Sequence, residues 1–245
     1  VIEIIGLHKS FGNQEVLKGI DLKIADGELL AIIGESGGGK SVLLKHLIGL
    51  LKPDMGEILV NGENIVRLGR RGLDRIREQF GVVFQGGALF DSLTVYDNVA
   101  FPLREKTRLG REDIRKRVKE ALDDVGLRGV EEKYPAEISG GMRKRVALAR
   151  ALITEPKIVL FDEPTTGLDP VMLDSIHKLI VDTHTKYAFT GVVISHDIPE
   201  IFDVANTVAF LYKGIIAAFG KPEEVWPSLG AIVEPFVKAC WKRVA

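Results

Sequence analysis

Four short stretches hold side chains whose types and spacing could do chemistry. The first is GESGGGKS, Gly34 to Ser41, which fits the spacing G-x-x-x-x-G-K-[ST]. Glycines let a backbone curl so that successive N–H groups turn inward on a polyphosphate, here across Gly34, Glu35, Ser36, Gly37, Gly38 and Gly39. A helix starting at such a loop adds its positive end, roughly half an elementary charge. Lys40 would reach the terminal phosphates, and the Ser41 hydroxyl is placed to ligate Mg²⁺. The second stretch is VLFDEP. An apolar run from Ile158 to Phe161 delivers Asp162 to the carboxyl end of a buried strand, where an acid is costly unless paired or metal-bound. Asp162 therefore reads as a Mg²⁺ ligand. Glu163, one residue on, points elsewhere and suits a base that polarises water against a γ-phosphate. The third, VVISHD, sets His196 after another buried strand, either as a γ-phosphate contact or as a satisfied structural histidine. Gln85 closes GVVFQ in the same manner and reads as a site residue or as an ordinary polar strand end. The fourth stretch, EISGGMRKRVALARALITEP, is a strong helix opened by two glycines, which are poor helix formers.

These residues need a frame. LLAIIG before the phosphate loop and TGVVISHD later are continuous apolar runs, as buried strands are, and SVLLKHLIGLL after the loop has helical spacing. The opening, IEIIGLHKSFG and VLKGIDLKI, alternates like half-exposed strands, and Asn61-Gly62 is a hairpin turn signal. From about Gly87 to Pro156 the pattern turns helical, clearest in EDIRKRVKEALDDVGL with Gly126 as a C-cap. Strand and helix then alternate through PVMLDSIHKLIVDTHTKY, and TVAFLYKGIIAAFG reads as a hairpin before a helical tail from Pro222. The pattern predicts an α/β fold with a mostly parallel, doubly covered sheet, an N-terminal antiparallel β subdomain and an inserted α-helical subdomain. As one domain over 1–245, its core would be 1–86 with 157–221, the helical insertion 87–156 and the tail 222–245.

Composition narrows the classes. The chain has 245 residues, 46% of them hydrophobic, enough for a large core. Lys and Arg number 33 against 34 Asp and Glu, so no overall basic field points to nucleic acid. The cluster RLGRRGLDRIREQ reads as a solvated helix face rather than a nucleic-acid patch. A single cysteine, Cys240, cannot pair within the chain, and it reads as a small apolar residue in a reducing compartment. No apolar run is long enough to cross a bilayer, and the start does not read as a signal peptide. The expectation is a soluble chain that docks on a membrane protein.

Together these pieces resemble the ATP-binding subunits of ABC transporters, and the resemblance covers nearly the whole chain. ISGGM, Ile138 to Met142, is similar to that family's signature, usually LSGGQ. Phosphate loop, Gln85, signature, Asp162-Glu163, Thr166-Gly167-Leu168-Asp169 and His196 follow in the family's order. Phe11 stands where the family has an adenine-stacking aromatic.

The resemblance implies a P-loop ATPase that uses ATP and Mg²⁺, with Ser41, Gln85 and Asp162 around the metal and Glu163, His196 and Lys40 catalytic. It also implies that Ser139, Gly140, Gly141 and Met142 cover ATP held by a second copy, giving a head-to-tail homodimer. The helical insertion would bind an integral membrane permease at the cytoplasmic face of the inner membrane. Two departures stand out: Val42 replaces a frequent hydroxyl, and Met142 replaces glutamine. GKSVLLKHLIGLL, GALFDSLTVYDNVAFPLRE and ISGGMRKRVALARAL look like the Mla/Mce-type phospholipid-transport ATPases. That branch implies a membrane-anchored lipid-binding Mce protein and a small cytoplasmic accessory subunit as further partners. The alternatives are another importer, a lipoprotein-releasing ATPase, a non-transport ABC ATPase of translation or DNA repair, and a regulatory nucleotide-binding module.

Overall fold

The computed structural model describes residues 2–232; Cys240 and Trp241 lie outside the described residues. Two compact units divide the chain. The first runs through Glu78 and resumes at Thr190, and the second is Gln79–Phe189.

In the first unit, β1 (Ile2–Phe11) and β2 (Gln14–Ile24) pair antiparallel, and β1 also pairs with β4 (Met55–Val60). The short β5 (Glu63–Asn64) completes a sheet of order β2-β1-β4-β5. The Asn61-Gly62 turn between β4 and β5 has φ of 51° and 82°, the left-handed pair that a two-residue hairpin turn needs. Two strands predicted as buried lie in the other run, of order β10-β9-β3-β8. β3 (Leu29–Gly34) and β8 (Thr190–Ser195) are buried at each position and pair in parallel, because both faces are covered and no polar side chain has to reach water. β9 (Thr207–Tyr212) flanks β3 in parallel and turns through Lys213-Gly214 into β10 (Ile215–Gly220), the expected hairpin. α1 (Lys40–Leu47) follows the phosphate loop, and α7 (Pro222–Ile232) follows β10.

The charged cluster forms α2 (Arg70–Arg77), with Ile76 its only buried side chain. Arg67 and Arg75 reach Glu57 and Glu63, while the Arg77 guanidinium donates to the carbonyls of Ile48 (3.0 Å) and Gly49 (2.9 Å) just past the end of α1. Those carbonyls carry the negative end of the helix dipole, which a cation complements.

The second unit holds β6 (Phe80–Val83) and β7 (Ile158–Asp162), a parallel pair, and the helices α3 (Val95–Lys106), α4 (Arg111–Asp124), α5 (Gly140–Leu152) and α6 (Pro170–Tyr187). α4 buries Ile114, Val118, Ala121 and Leu122, one stripe at helical spacing. It ends as expected at Gly126, with φ of 67°, where the Leu127 N–H returns to the Leu122 carbonyl at 2.9 Å. Asn98 of α3 is fully buried. Its amide donates to the carbonyls of Phe90, Leu93 and Thr94 and its Oδ1 accepts from the Phe90 N–H, which fixes the loop before the helix. No helix among the described residues is long and apolar enough to cross a membrane.

Candidate nucleotide-binding and catalytic site

The first unit carries the phosphate loop. β3 ends at Gly34, whose Cα lies so close to β9 that a Cβ there would stand 2.2 Å from the Leu211 carbonyl oxygen. Gly37 and Gly39 take φ of 76° and 100°, a left-handed conformation that side-chained residues adopt at a cost. The Gly38 N–H closes the turn on the Glu35 carbonyl at 3.1 Å. α1 then begins directly at Lys40. Its N-cap is Gly39, and no side chain caps that end, which leaves the helix N-terminus to the loop. Lys40 is 4% exposed, and its ammonium donates to the carbonyls of Gly34 and Glu35, both at 2.8 Å. The loop thus folds around its own lysine and holds the charge at the curl of backbone amides. Ser41 is the next helical residue.

Phe11 ends β1 and is 47% exposed, and the Lys9 ammonium lies over its ring, 5.5 Å from the centroid. His196 follows β8 with a part-exposed ring, 3.9 Å from an Asp197 carboxylate oxygen, while Ser195 holds the Asp197 N–H at 3.0 Å.

The second unit carries the acids. Asp162 is the last residue of β7. Glu163 follows with φ of 48°, left-handed although not glycine. Such a conformation costs on the order of 1–3 kcal/mol and persists where the surroundings over-determine it. Here they do: the Gln85 Nε2 donates to Glu163 Oε2 at 3.1 Å and the Thr166 hydroxyl donates to the same oxygen at 3.0 Å. Gln85 and Glu163, chosen from separate stretches, are therefore brought together, and Thr166 joins them. Gly167 turns the chain, and Asp169 caps α6, its Oδ1 accepting from the N–H groups of Val171 and Met172, both at 3.1 Å.

The signature opens α5. Ser139 is its N-cap, and its Oγ accepts from the Met142 N–H at 3.2 Å. A serine hydroxyl has one proton to give besides its lone pairs, so capping leaves it able to donate outward. The N–H groups of Gly140 and Gly141 belong to the helix turn that has no intrahelical acceptors. A Cβ at Gly141 would meet the Met172 methyl at 2.1 Å, so a side chain there requires the Met172 thioether to move aside.

Sequence reasoning missed the cations of α5. Lys144 donates to the Gln85 carbonyl, and Arg150 donates to those of Gly87 (2.7 Å) and Ala88 (2.8 Å). Burial lowers the pKa of Lys144 against the opposing pull of the Glu163 carboxylate, and burial lowers that of Arg150. The only signal was the run RKRVALAR itself, which basic helix composition does not distinguish from a solvated face.

A family model described as ABC transporter matches residues 17–166. The chain belongs to the ABC transporter ATPase family. It binds and hydrolyses ATP as a member of that family. The chain is 44% identical over 236 residues to the probable ribonucleotide transport ATP-binding protein mkl of Mycobacterium leprae, covering 96% of this chain and 68% of that protein. It is 40% identical over 238 residues to the intermembrane phospholipid transport system ATP-binding protein MlaF of Haemophilus influenzae, covering 97% and 90%. A dimeric ABC cassette in a post-hydrolysis state bound to ADP and Pi superposes with a TM-score of 0.83 at 33% identity, over 91% of this chain and 99% of that one.

The expected donors fit Mg²⁺ in type: a hydroxyl at Ser41, a carboxylate at Asp162 and an amide at Gln85 are hard oxygen ligands without thiolate or imidazole. Among the described residues no cluster of three or more His, Cys, Asp or Glu could cage a metal.

Proposed function

We propose that this chain is the ATPase of a Mla/Mce-type system that moves phospholipid between membranes. The observation that carries the reading is the match to MlaF, which spans 97% of this chain and 90% of that protein. The chain acts as one ABC ATPase domain, peripheral on the cytoplasmic face of the inner membrane. Its partners are a second copy, membrane permease subunits, a membrane-anchored lipid-binding Mce protein and a small cytoplasmic accessory subunit. The dimeric ABC cassette of similar fold supports the homodimer. A second reading, an importer of another solute, is favoured by the higher identity to a relative named for ribonucleotide transport.

The reaction is assigned to the residues as follows. Phe11 stacks the adenine, and the Gly34–Val42 segment with Lys40 holds the phosphates through backbone amides and one ammonium. Mg²⁺, when held by Ser41, Asp162 and Gln85, neutralises phosphate charge. Glu163 orients a water for in-line attack on the γ-phosphate, and Gln85 and Thr166 fix the carboxylate for that task. His196 contacts the γ-phosphate. Ser139, Gly140 and Gly141 of the second copy donate to the same phosphate, with the α5 dipole behind them. Hydrolysis removes the group that both copies grip, and the dimer opens.

The test is to trap the complex with its membrane partners using Glu163→Gln and ATP, identify bound small molecules by mass spectrometry, and reconstitute transport separately with the wild-type chain. Stoichiometric phospholipid and ATP-dependent lipid transfer between vesicles are expected. A complex that carries no lipid and drives uptake of a soluble solute would replace this reading with the second.

A further inference from the structure

We propose that Lys144 is a positioning residue for ATP hydrolysis: from the signature helix it fixes the Gln85 backbone so that the Gln85 amide stays on Glu163. The contacts form one chain within the second unit. The Lys144 ammonium donates to the Gln85 carbonyl, the Gln85 Nε2 donates to Glu163 Oε2 at 3.1 Å, and Thr166 donates to that oxygen at 3.0 Å.

The loop after Gln85 leans on the same helix. Gly87 and Ala88 are left-handed, with φ of 78° and 47°, and their carbonyls take the Arg150 guanidinium. Carbonyls at positions 85, 87 and 88 are thus satisfied by two side chains of α5. The Gln85 carbonyl is exposed, so without the ammonium water can satisfy it, but water ties the loop to nothing and the segment is free to shift. A shift of that kind carries the Gln85 amide off the carboxylate. Lys144 lines a small cavity together with Val83, Leu148, Phe161 and Ile176, so a methionine there keeps an apolar chain in those surroundings while the ammonium is removed. The consequence is that the helix whose first turn grips one nucleotide also sets the base that acts on the other.

This inference rests on the reading of Glu163 as the base, and the experiment separates the two. Steady-state ATP hydrolysis by the full chain is measured for Lys144→Met, Lys144→Arg, Gln85→Ala, the Lys144→Met/Gln85→Ala pair and Glu163→Gln, with a thermal melt of each. Lys144→Met is expected to lower kcat by about 10- to 100-fold with KM for ATP and Tm little changed, the scale of a misplaced catalytic group. Lys144→Arg should restore most of the rate. In the Gln85→Ala background Lys144→Met should cost nothing further, because the two act through one contact. Wild-type kcat in Lys144→Met, full additivity with Gln85→Ala, or a rate loss that tracks Tm and resists Lys144→Arg would each overturn the proposal. If Glu163→Gln turns over normally, the assignment of the base fails instead, whatever Lys144 does.

Discussion

Gly34 is the point where the sheet becomes the phosphate loop, and its replacement by alanine tests what the close approach of β9 adds to a backbone conformation, φ of 154°, that alanine already resists. Gly34 pairs with Leu211 in the parallel β3–β9 register. An alanine Cβ would stand 2.2 Å from the Leu211 carbonyl oxygen, more than 1 Å inside the 3.4 Å at which ordinary contact begins. The obstructing atom is backbone, so no rotamer change relieves the clash. β9 is also held from its other side by β10 and buries Val208, Ala209, Phe210 and Leu211 completely. The strands must part at their ends, and the Gly34 carbonyl, which accepts from Lys40 at 2.8 Å, moves with them.

Overpacking of this kind costs about 2–3 kcal/mol. For a chain of 245 residues each kcal/mol lowers Tm by about 2–4 °C, so Gly34→Ala should melt about 5–10 °C low. Its affinity for ATP should fall too, because Lys40 loses an anchor. Gly37→Ala is the control. A Cβ there meets nothing within 4 Å, and only the φ of 76° opposes it. That conformation costs an alanine about 1–2 kcal/mol, so the control should melt about 2–8 °C low. Calorimetric melts and ATP titrations of both variants decide the matter. Gly34→Ala melting within 2 °C of wild type, or no lower than Gly37→Ala, would refute the reasoning about Leu211.

Glu163→Gln should bind ATP normally and slow hydrolysis by about 10²–10⁴-fold in a single-turnover assay, the usual range for a positioned base. Phe11→Ala should leave Tm nearly unchanged, since the residue is 47% exposed. It should weaken ATP about 2- to 10-fold by calorimetry, matching about 0.5–1.5 kcal/mol of stacking. His46 is fully buried, with Nδ1 donating to the Val42 carbonyl at 2.7 Å. Desolvation holds its pKa below the ordinary 6.5; the Lys9 ammonium acts in the same direction, and the Val42 and Lys52 carbonyls and Asp54 oppose it. Its folded pKa is depressed, so the unfolded chain takes up the proton first as pH falls below about 6.5, and stability present above that pH is lost. Urea midpoints at pH 7.5 and 5.5 should differ more for wild type than for His46→Leu; equal differences would remove His46 as the cause. Met142→Gln should leave turnover within about two-fold of wild type, the effect of ±0.5 kcal/mol.

Much of this was legible in the sequence because it depends on neighbours along the chain. The phosphate loop is fixed by where glycine is tolerated and by an apolar strand before it. Asn61-Gly62, Gly126 and the Ser139 cap each follow from the φ or the hydrogen bond that a local turn requires. Contacts that cross many residues were not legible. Lys144 reaches a carbonyl 59 residues earlier, Arg150 reaches carbonyls 62 and 63 residues earlier, and Gln85 meets Glu163 across 78. No periodicity encodes such pairings, and a lysine stem that packs while its head bonds to backbone looks in sequence like any surface lysine. Likewise the strand order β2-β1-β4-β5 places β4 beside β1 across the phosphate loop and α1, which alternation alone does not specify.

The two departures from the family's pattern fall at equivalent places, and the geometry there predicts that they cost little. Val42 is the third residue of α1, and Met142 is the third residue of α5. At the third position of a helix the backbone N–H points out of the N-terminus whatever the side chain is. In α5 that N–H is already used by the Ser139 hydroxyl, so what residue 142 contributes to the signature is an amide that holds the serine in place. Methionine supplies this amide as well as glutamine does. In α1 the cap is a glycine with no side-chain bond, so the amide of Val42 faces the phosphate loop without a capping oxygen to compete for it. Valine forfeits a hydroxyl at that position but keeps the amide, and its carbonyl anchors His46. Both helices therefore offer backbone donors at their N-termini with one hydroxyl beside each, Ser41 in one and Ser139 in the other.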